Sequence, residues 1–327
     1  MAEQKEKKIT AVGLIGLGLM GQGIASCLVS SKLCVVAFSR SPERESQTRD
    51  RIAEALKQLW KRKIIPQSSI SGWEKRFVFV RSLDDLKDCP FVIETVKEDL
   101  RLKQEIYDKL ETVIPARTVV ASNTSSIPIS RLQQGRKYPE RFIGMHWAEP
   151  AEITRYLEII PGKKTSARTV RLTRELATIC GKEPSVLNFD IRGFISNRLM
   201  YAMMREACYL VENGVADIET VDRSFRNDIG WWATIAGPFR WMDLTGVPVY
   251  AAVMEGLFPE LCNNKKVPEL MKTIVERGAQ GISNRKGFYK YTSSSAREWE
   301  KVWLEFTHDI RKLVEKYEKR VKLAGAN

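Results

Sequence analysis

Hydrophobic positions along the chain change their period once. Up to residue 189, short apolar and β-branched runs alternate with stretches in which apolar residues return at spacings of three and four. The runs predict strands at Thr10–Ile15, Leu33–Phe38, Phe77–Val80, Phe91–Glu94, Val119–Ser122, Phe142–His146, Tyr156–Ile160 and Pro184–Leu187, with helices such as DLRLKQEIYDKLETVI and SARTVRLTRELATIC between several of them. That alternation implies a doubly wound, mainly parallel α/β sheet. After Asp190 the β-rich runs nearly vanish. GFISNRLMYAMMREACYLVENG places Ile195, Leu199, Met203, Ala207 and Leu210 on one helical face and stops at Gly214. Further helices are predicted over 217–226, 237–244, 247–257, 266–278 and 294–322, with SSSA at 293–296 as a cap before the last. The expected division is an α/β domain over 1–189 and an all-α domain over 190–327, with the boundary near NFDIRG.

Composition narrows the class. A chain of 327 residues with 43% hydrophobic residues can bury a large core, and its length suggests two domains. It holds no apolar run of about 20 residues, and MAEQKEKK is charged with no apolar segment behind it. The expectation is a cytoplasmic protein without membrane contact. Six cysteines at scattered positions contain no C-x-x-C pair, so neither a disulfide nor a metal site is expected. The net charge of +13 comes from basic residues interleaved with acids, as in SAREWEKVW, and no localised basic-aromatic motif points to nucleic acid. Such a surface suits plain solubility or a phosphate-bearing small ligand.

The strongest motif lies in VGLIGLGLMGQG, where Gly16, Gly18 and Gly21 form G-x-G-x-x-G directly after the first strand. With Leu17, Leu19 and Met20 between them, they match the turn that holds a dinucleotide pyrophosphate at a helix N-terminus in a Rossmann-type sheet. At the end of the second strand, where NAD-selective enzymes usually carry an acid, stand Ser39 and Arg40. A hydroxyl and a guanidinium suit a 2′-phosphate, so NADP is the expected cofactor, with NAD the alternative.

Only two histidines occur, and His308 sits in the charged terminal helix. His146 ends a strand of the dinucleotide-binding sheet, at the edge where ligands meet carboxyl ends of strands. Hydride transfer at a carbinol also needs a proton moved at oxygen, which suits imidazole. Glu158, twelve residues later, falls close enough in a returning hairpin to orient the ring.

GLGLMGQGIA, ETVKEDLRLK, ASNTSSIPIS, GMHWAEP, GFISNRL, AGPFRWMDLTG and KGFYKY occur in this order over roughly residues 9 to 291. Together they resemble the L-3-hydroxyacyl-CoA dehydrogenase family. The resemblance implies a catalytic His146 paired with Glu158, and Ser125 and Asn197 as neutral donors to the reacting oxygen. It places Thr95, Val96, Glu98, Lys103 and Asn123 beside the cofactor, and implies a homodimer built through the helical domain. On spacing alone, Met203, Met204 and Tyr209 fit either a core or such an interface.

The chain departs from the family pattern in places. Glu149 stands where an asparagine usually lies near the nicotinamide, and Arg192 replaces a proline before GF. GWWATIAGP is longer than the CoA-type segment and, with the terminal helix, resembles the branch acting on free hydroxy acids such as L-gulonate or carnitine. KGFYKY is a CoA-type feature. The expected reaction is therefore hydride transfer on a 3-hydroxyacyl substrate, short-chain acyl-CoA first and a free 3-hydroxy acid second. A non-enzymatic protein on the same scaffold is the rival from another class, and retention of His146, Glu158, Ser125 and Asn197 argues against it.

Overall fold

The computed structural model describes residues 8–323; MAEQKEK, on which the expectation about targeting largely rests, lies outside them. Two compact units divide between Ile195 and Ser196. Among the described residues no helix is long and apolar enough to cross a membrane.

The first unit is built on eight strands: β1 (Ala11–Ile15), β2 (Cys34–Phe38), β3 (Phe77–Val80), β4 (Phe91–Glu94), β5 (Val119–Ser122), β6 (Phe142–Trp147), β7 (Tyr156–Pro161) and β8 (Glu183–Val186). They form one sheet in the order β3-β2-β1-β4-β5-β6-β7-β8. Pairing is parallel from β3 through β6; β7 runs antiparallel to β6, and β8 runs parallel to β7. Strands covered by helices on both faces need apolar side chains on both, which is why β4, β5 and β6 are buried at every position.

One face carries α1 (Leu19–Ser30), α2 (Arg44–Lys61) and α5 (Ala167–Ile179), which bury Ile24, Leu28, Ile52, Leu56, Leu172 and Leu176 in a common cluster. The other carries α3 (Leu100–Val113) and the short α4 (Ile129–Leu132), with Tyr107, Leu110, Ile129 and Leu132 packed inward. Helix starts follow local chemistry. Asp99 caps α3 by accepting from the Leu102 N–H, and Ser166 caps α5 by accepting from Thr169.

The second unit is helical throughout: α6 (Ser196–Glu212), α7 (Ile218–Asn227), α8 (Ile229–Ala233), α9 (Pro238–Thr245), α10 (Val247–Leu257), α11 (Glu269–Glu276) and α12 (Ser293–Leu323). The sequence places these helices well, with instructive differences. The long helix begins at Ser196, because Gly193 and Phe194 have φ of 79° and 51°, outside the right-handed helical region. Gly214, with φ of 69°, follows its end as expected. IGWWA forms a helix of its own, α8, which periodicity over five residues cannot announce. SSSA is the first turn of α12 rather than its cap: Thr292 accepts the Ser295 N–H through Oγ1.

Candidate active site

Strand order reverses direction of winding between β1 and β4, and in open α/β sheets such a switch point is where the ligand crevice lies, at the carboxyl ends. Thr95 closes its floor by donating its N–H to the Ile15 carbonyl at 2.8 Å and its hydroxyl to the Gly16 carbonyl at 3.0 Å. Gly16 takes φ of 94°, a conformation costly to side-chain-bearing residues. A Cβ on Gly21 would lie 2.1 Å from the Gly16 carbonyl oxygen, whereas one on Gly18 would meet nothing within 4 Å. The loop is thus tight where helix meets strand and open where a pyrophosphate would approach. No side chain caps the N-terminus of α1, so its first-turn N–H groups are not taken by a capping residue. These features fit a dinucleotide. Leu17 is buried and Met20 packs against the core, so their role toward a ligand falls to backbone, while Leu19 is exposed.

Beside this loop Ser39 and Arg40 follow β2. Ser39 Oγ accepts from the Ser41 N–H at 3.3 Å, and Arg40 is exposed.

Glu98 ties the loop after β4 to the loop after β5. Its Oε1 accepts from Thr124 Oγ1 at 2.6 Å and from the N–H groups of Ser125 and Ser126 at 3.0 Å each. Burial pushes its carboxyl pKa up, but the Thr124 hydroxyl, the Lys103 ammonium and those two N–H groups outweigh it and hold the pKa below its ordinary value. The Ser125 backbone is thereby fixed at the crevice, with the residue exposed.

Lys103 faces inward. It shares one stripe of α3 with Tyr107 and Leu110, so its ammonium meets Glu94 at 2.8 and 3.0 Å, with both residues fully buried. Tyr107 and Ser122 also donate to Glu94, at 2.6 and 2.7 Å, and the Val96 N–H does so at 2.7 Å. Burial, and then the nearby Glu94 carboxylate, push the Tyr107 phenol well above its ordinary pKa, so it stays a donor. Lys103 approaches the crevice through Glu98, 3.5 Å away. Asn123 is a brace: its Oδ1 accepts the Trp147 N–H at 3.0 Å. Glu149 pairs with Arg51 of α2 at 2.5 Å, beside Glu152, whose pKa burial raises despite Arg51.

The antiparallel turn of β7 makes the remaining contact. Register pairs His146 with Glu158, and their side chains share a face. His146 Nδ1 lies 3.0 Å from Glu158 Oε2. Glu158, 1% exposed, also accepts from the Ile195 N–H at 2.9 Å and from the Tyr156 hydroxyl at 2.6 Å. Phe194 and Tyr156 flank the imidazole at 5.6 and 5.7 Å between ring centres. Asn197 lies in the first turn of α6, in the second unit.

Sequence reasoning overlooked Tyr156, Arg51, Glu94 and Tyr107. Tyr156 left a signal, since two residues before Glu158 on a strand is the same face. Arg51 left none, because its partners are 98 and 101 residues away.

Comparison with known proteins places the whole arrangement. The NAD binding domain of 3-hydroxyacyl-CoA dehydrogenase matches residues 11–190, and the C-terminal domain of the same family matches 193–291. The chain is 35% identical over 293 residues to 5-formyl-3-hydroxy-2-methylpyridine 4-carboxylate 5-dehydrogenase of Mesorhizobium japonicum, covering 88% of this chain and 93% of that one. It is 33% identical over 284 residues to 3-hydroxybutyryl-CoA dehydrogenase of Bradyrhizobium diazoefficiens, covering 86% and 96%. A solved structure of the pyridine-carboxylate enzyme, described as an NAD+ dependent dismutase, matches with TM-score 0.88 at 32% identity over 94% of this chain and 99% of that one. (S)-3-hydroxybutyryl-CoA dehydrogenase of Ralstonia eutropha gives 0.73 at 30% identity over 88% and 100%. With both family domains in order and the crevice and loop they require, the chain belongs to the 3-hydroxyacyl-CoA dehydrogenase family and is a dehydrogenase with an NAD-binding domain.

Proposed function

We propose that the chain interconverts a 3-hydroxyacyl substrate and its 3-oxo form, with His146 as the proton-transfer residue. The observation that carries this reading is the buried His146–Glu158 pair at the carboxyl edge of the dinucleotide sheet, Nδ1 to Oε2 at 3.0 Å. Glu158 holds Nδ1, orients the ring and stabilises imidazolium, leaving Nε2 to take the substrate hydroxyl proton. Ser125 serves as a neutral donor to the reacting oxygen. The Gly16–Gly21 loop, Thr95, Val96 and Glu98 would hold a dinucleotide, which would supply the hydride acceptor. Ser39 and Arg40 carry no acid that would repel a 2′-phosphate, and on that chemistry NADP is the form favoured; the named NAD+ dependence of the pyridine-carboxylate enzyme supports NAD instead.

Two substrate classes follow. A short-chain acyl-CoA fits the family and the 3-hydroxybutyryl-CoA relatives. A free, carboxylate-bearing hydroxy compound is supported by the higher TM-score and fuller coverage of the pyridine-carboxylate enzyme, 0.88 over 94% against 0.73 over 88%. Nucleotide absorbance, followed with 3-hydroxybutyryl-CoA, longer acyl-CoAs, free 3-hydroxybutyrate, L-gulonate, carnitine and a pyridine aldehyde acid, tests both. Turnover of CoA esters alone supports the first class, and of free acids alone the second; no turnover with either nucleotide removes the reading.

A further inference from the structure

We propose that Tyr156 is a positioning residue of the acid–base pair, a third member that fixes which imidazole nitrogen carries the proton. Strand geometry puts it there. Tyr156 lies two residues before Glu158 on β7, on the same face, and one diagonal step from His146 on β6. Its hydroxyl lies 2.6 Å from Glu158 Oε2 and 3.0 Å from His146 Nδ1, while Nδ1 and Oε2 are themselves 3.0 Å apart.

These three atoms form a triangle, and its protons can be assigned by satisfying each side. A bare Nδ1 would face a carboxylate oxygen lone pair to lone pair, which is repulsive, so Nδ1 carries a hydrogen. The short contact to Oε2 is then a phenol donating to a carboxylate, which turns a phenol lone pair toward Nδ1. The Nδ1–H is therefore forked between Glu158 Oε2 and Tyr156 Oη. A forked bond between two fixed acceptors defines the plane of the ring more tightly than one acceptor does. It aims Nε2, and it keeps the neutral ring in the tautomer with Nε2 free. The phenol also supplies Glu158, 1% exposed, with a donor to its charged form besides Ile195 N–H and the imidazole. Its ring edge meets the imidazole at 86°, so removing only the hydroxyl leaves the packing in place.

Tyr156 acts on the imidazole jointly with Glu158, whose carboxylate fixes the direction of the phenol hydrogen, and the test follows from that coupling. The inference rests on the acid–base reading given above. Tyr156→Phe in the full chain is expected to lower kcat about tenfold to a hundredfold, the scale of one hydrogen bond to a charged group, with KM and NADH affinity changed less than about twofold. In a Glu158→Gln background the same substitution should change kcat less than about twofold. Equal factors in both backgrounds, or less than about twofold in the wild type, would overturn the proposal. A second measurement needs no substrate. With two histidines in the chain, nitrogen-resolved NMR isolates the His146 imidazole once His308→Gln identifies the other set. The wild type should show a downfield Nδ1 proton, and Tyr156→Phe should speed its exchange with water about tenfold or more. An unchanged Nδ1 proton overturns the positioning role. If that proton responds while the wild type turns over no substrate, the proposed reaction fails and the positioning role stands.

Discussion

The two units differ in what they do with apolar surface. In the first, the sheet and its helices enclose two clusters of buried side chains, and even its ionic groups, Glu94 and Lys103, are fully buried and mutually satisfied. In the second, only Ala236, Ala296, Thr307 and His308 are buried among the described residues, while Leu199 is 55% exposed and Trp231 and Phe239 are 79% exposed. The first unit thus has a large enclosed core, with Leu19, Trp60 and Phe189 among the few large apolar side chains left exposed. The second has helices amphipathic by sequence whose apolar faces have no cover within the unit, which supports the proposal that a further copy of the chain supplies it. A site assembled in the first unit should therefore fail through chemistry, and the second unit through association.

The largest expected effect is chemical. His146→Gln should lower kcat by ~10² to 10⁴ and leave the protein folded, since it removes the proposed proton-transfer group while keeping an N–H donor for Glu158; unchanged turnover would take His146 out of the reaction. Next comes the interior of the first unit. Lys103→Met strands Glu94 without its cation, and breaking a buried pair costs about 3 to 5 kcal/mol, read by denaturant unfolding. A loss under about 1 kcal/mol would mean that Glu94 takes up a proton and that Tyr107 and Ser122 suffice.

Leu199→Glu tests the second unit. Sedimentation should find the wild type dimeric at micromolar concentration and this variant dissociated by about a hundredfold in Kd, with a concentration-dependent melting temperature in the wild type. A monomeric wild type would end the proposed role of these faces. Ser39→Asp should lower NADPH affinity about tenfold to a hundredfold and favour NADH, the scale of one charge-assisted contact. Tighter NADH binding by the wild type would mean that Arg40 serves solvent.

The smallest effect is the pH dependence carried by Glu98. Its folded pKa lies below the ordinary carboxylate value, so the stability it contributes is present above about pH 4.3 and disappears as pH falls through the folded value. Glu98→Gln should therefore lower stability slightly at neutral pH and flatten the acid limb of a melting curve, so that wild type and variant converge below that window.

Legibility in the sequence follows the same division. Every strand and the glycine loop could be read because period and turn chemistry are local. The His146–Glu158 pairing could be read because it spans one hairpin. The contact of Lys103 with Glu94 is not legible, because whether a lysine on a helix faces a buried acid depends on a strand elsewhere in the chain. Arg51 joins Glu149 only through the packing of α2, which no spacing encodes.

That hairpin also bears on the order in which the site can assemble. His146 and Glu158 are 12 residues apart, whereas Thr95 and Gly16, which shape the cofactor crevice, are 79 apart. Loop-closure entropy grows as the logarithm of separation, so joining the nearer pair costs about 1.7 kcal/mol less. The reversal of β7 thus makes the His146–Glu158 contact one of the least entropically demanding long contacts of the sheet. This contact can form within a local segment before the more distant strands come together.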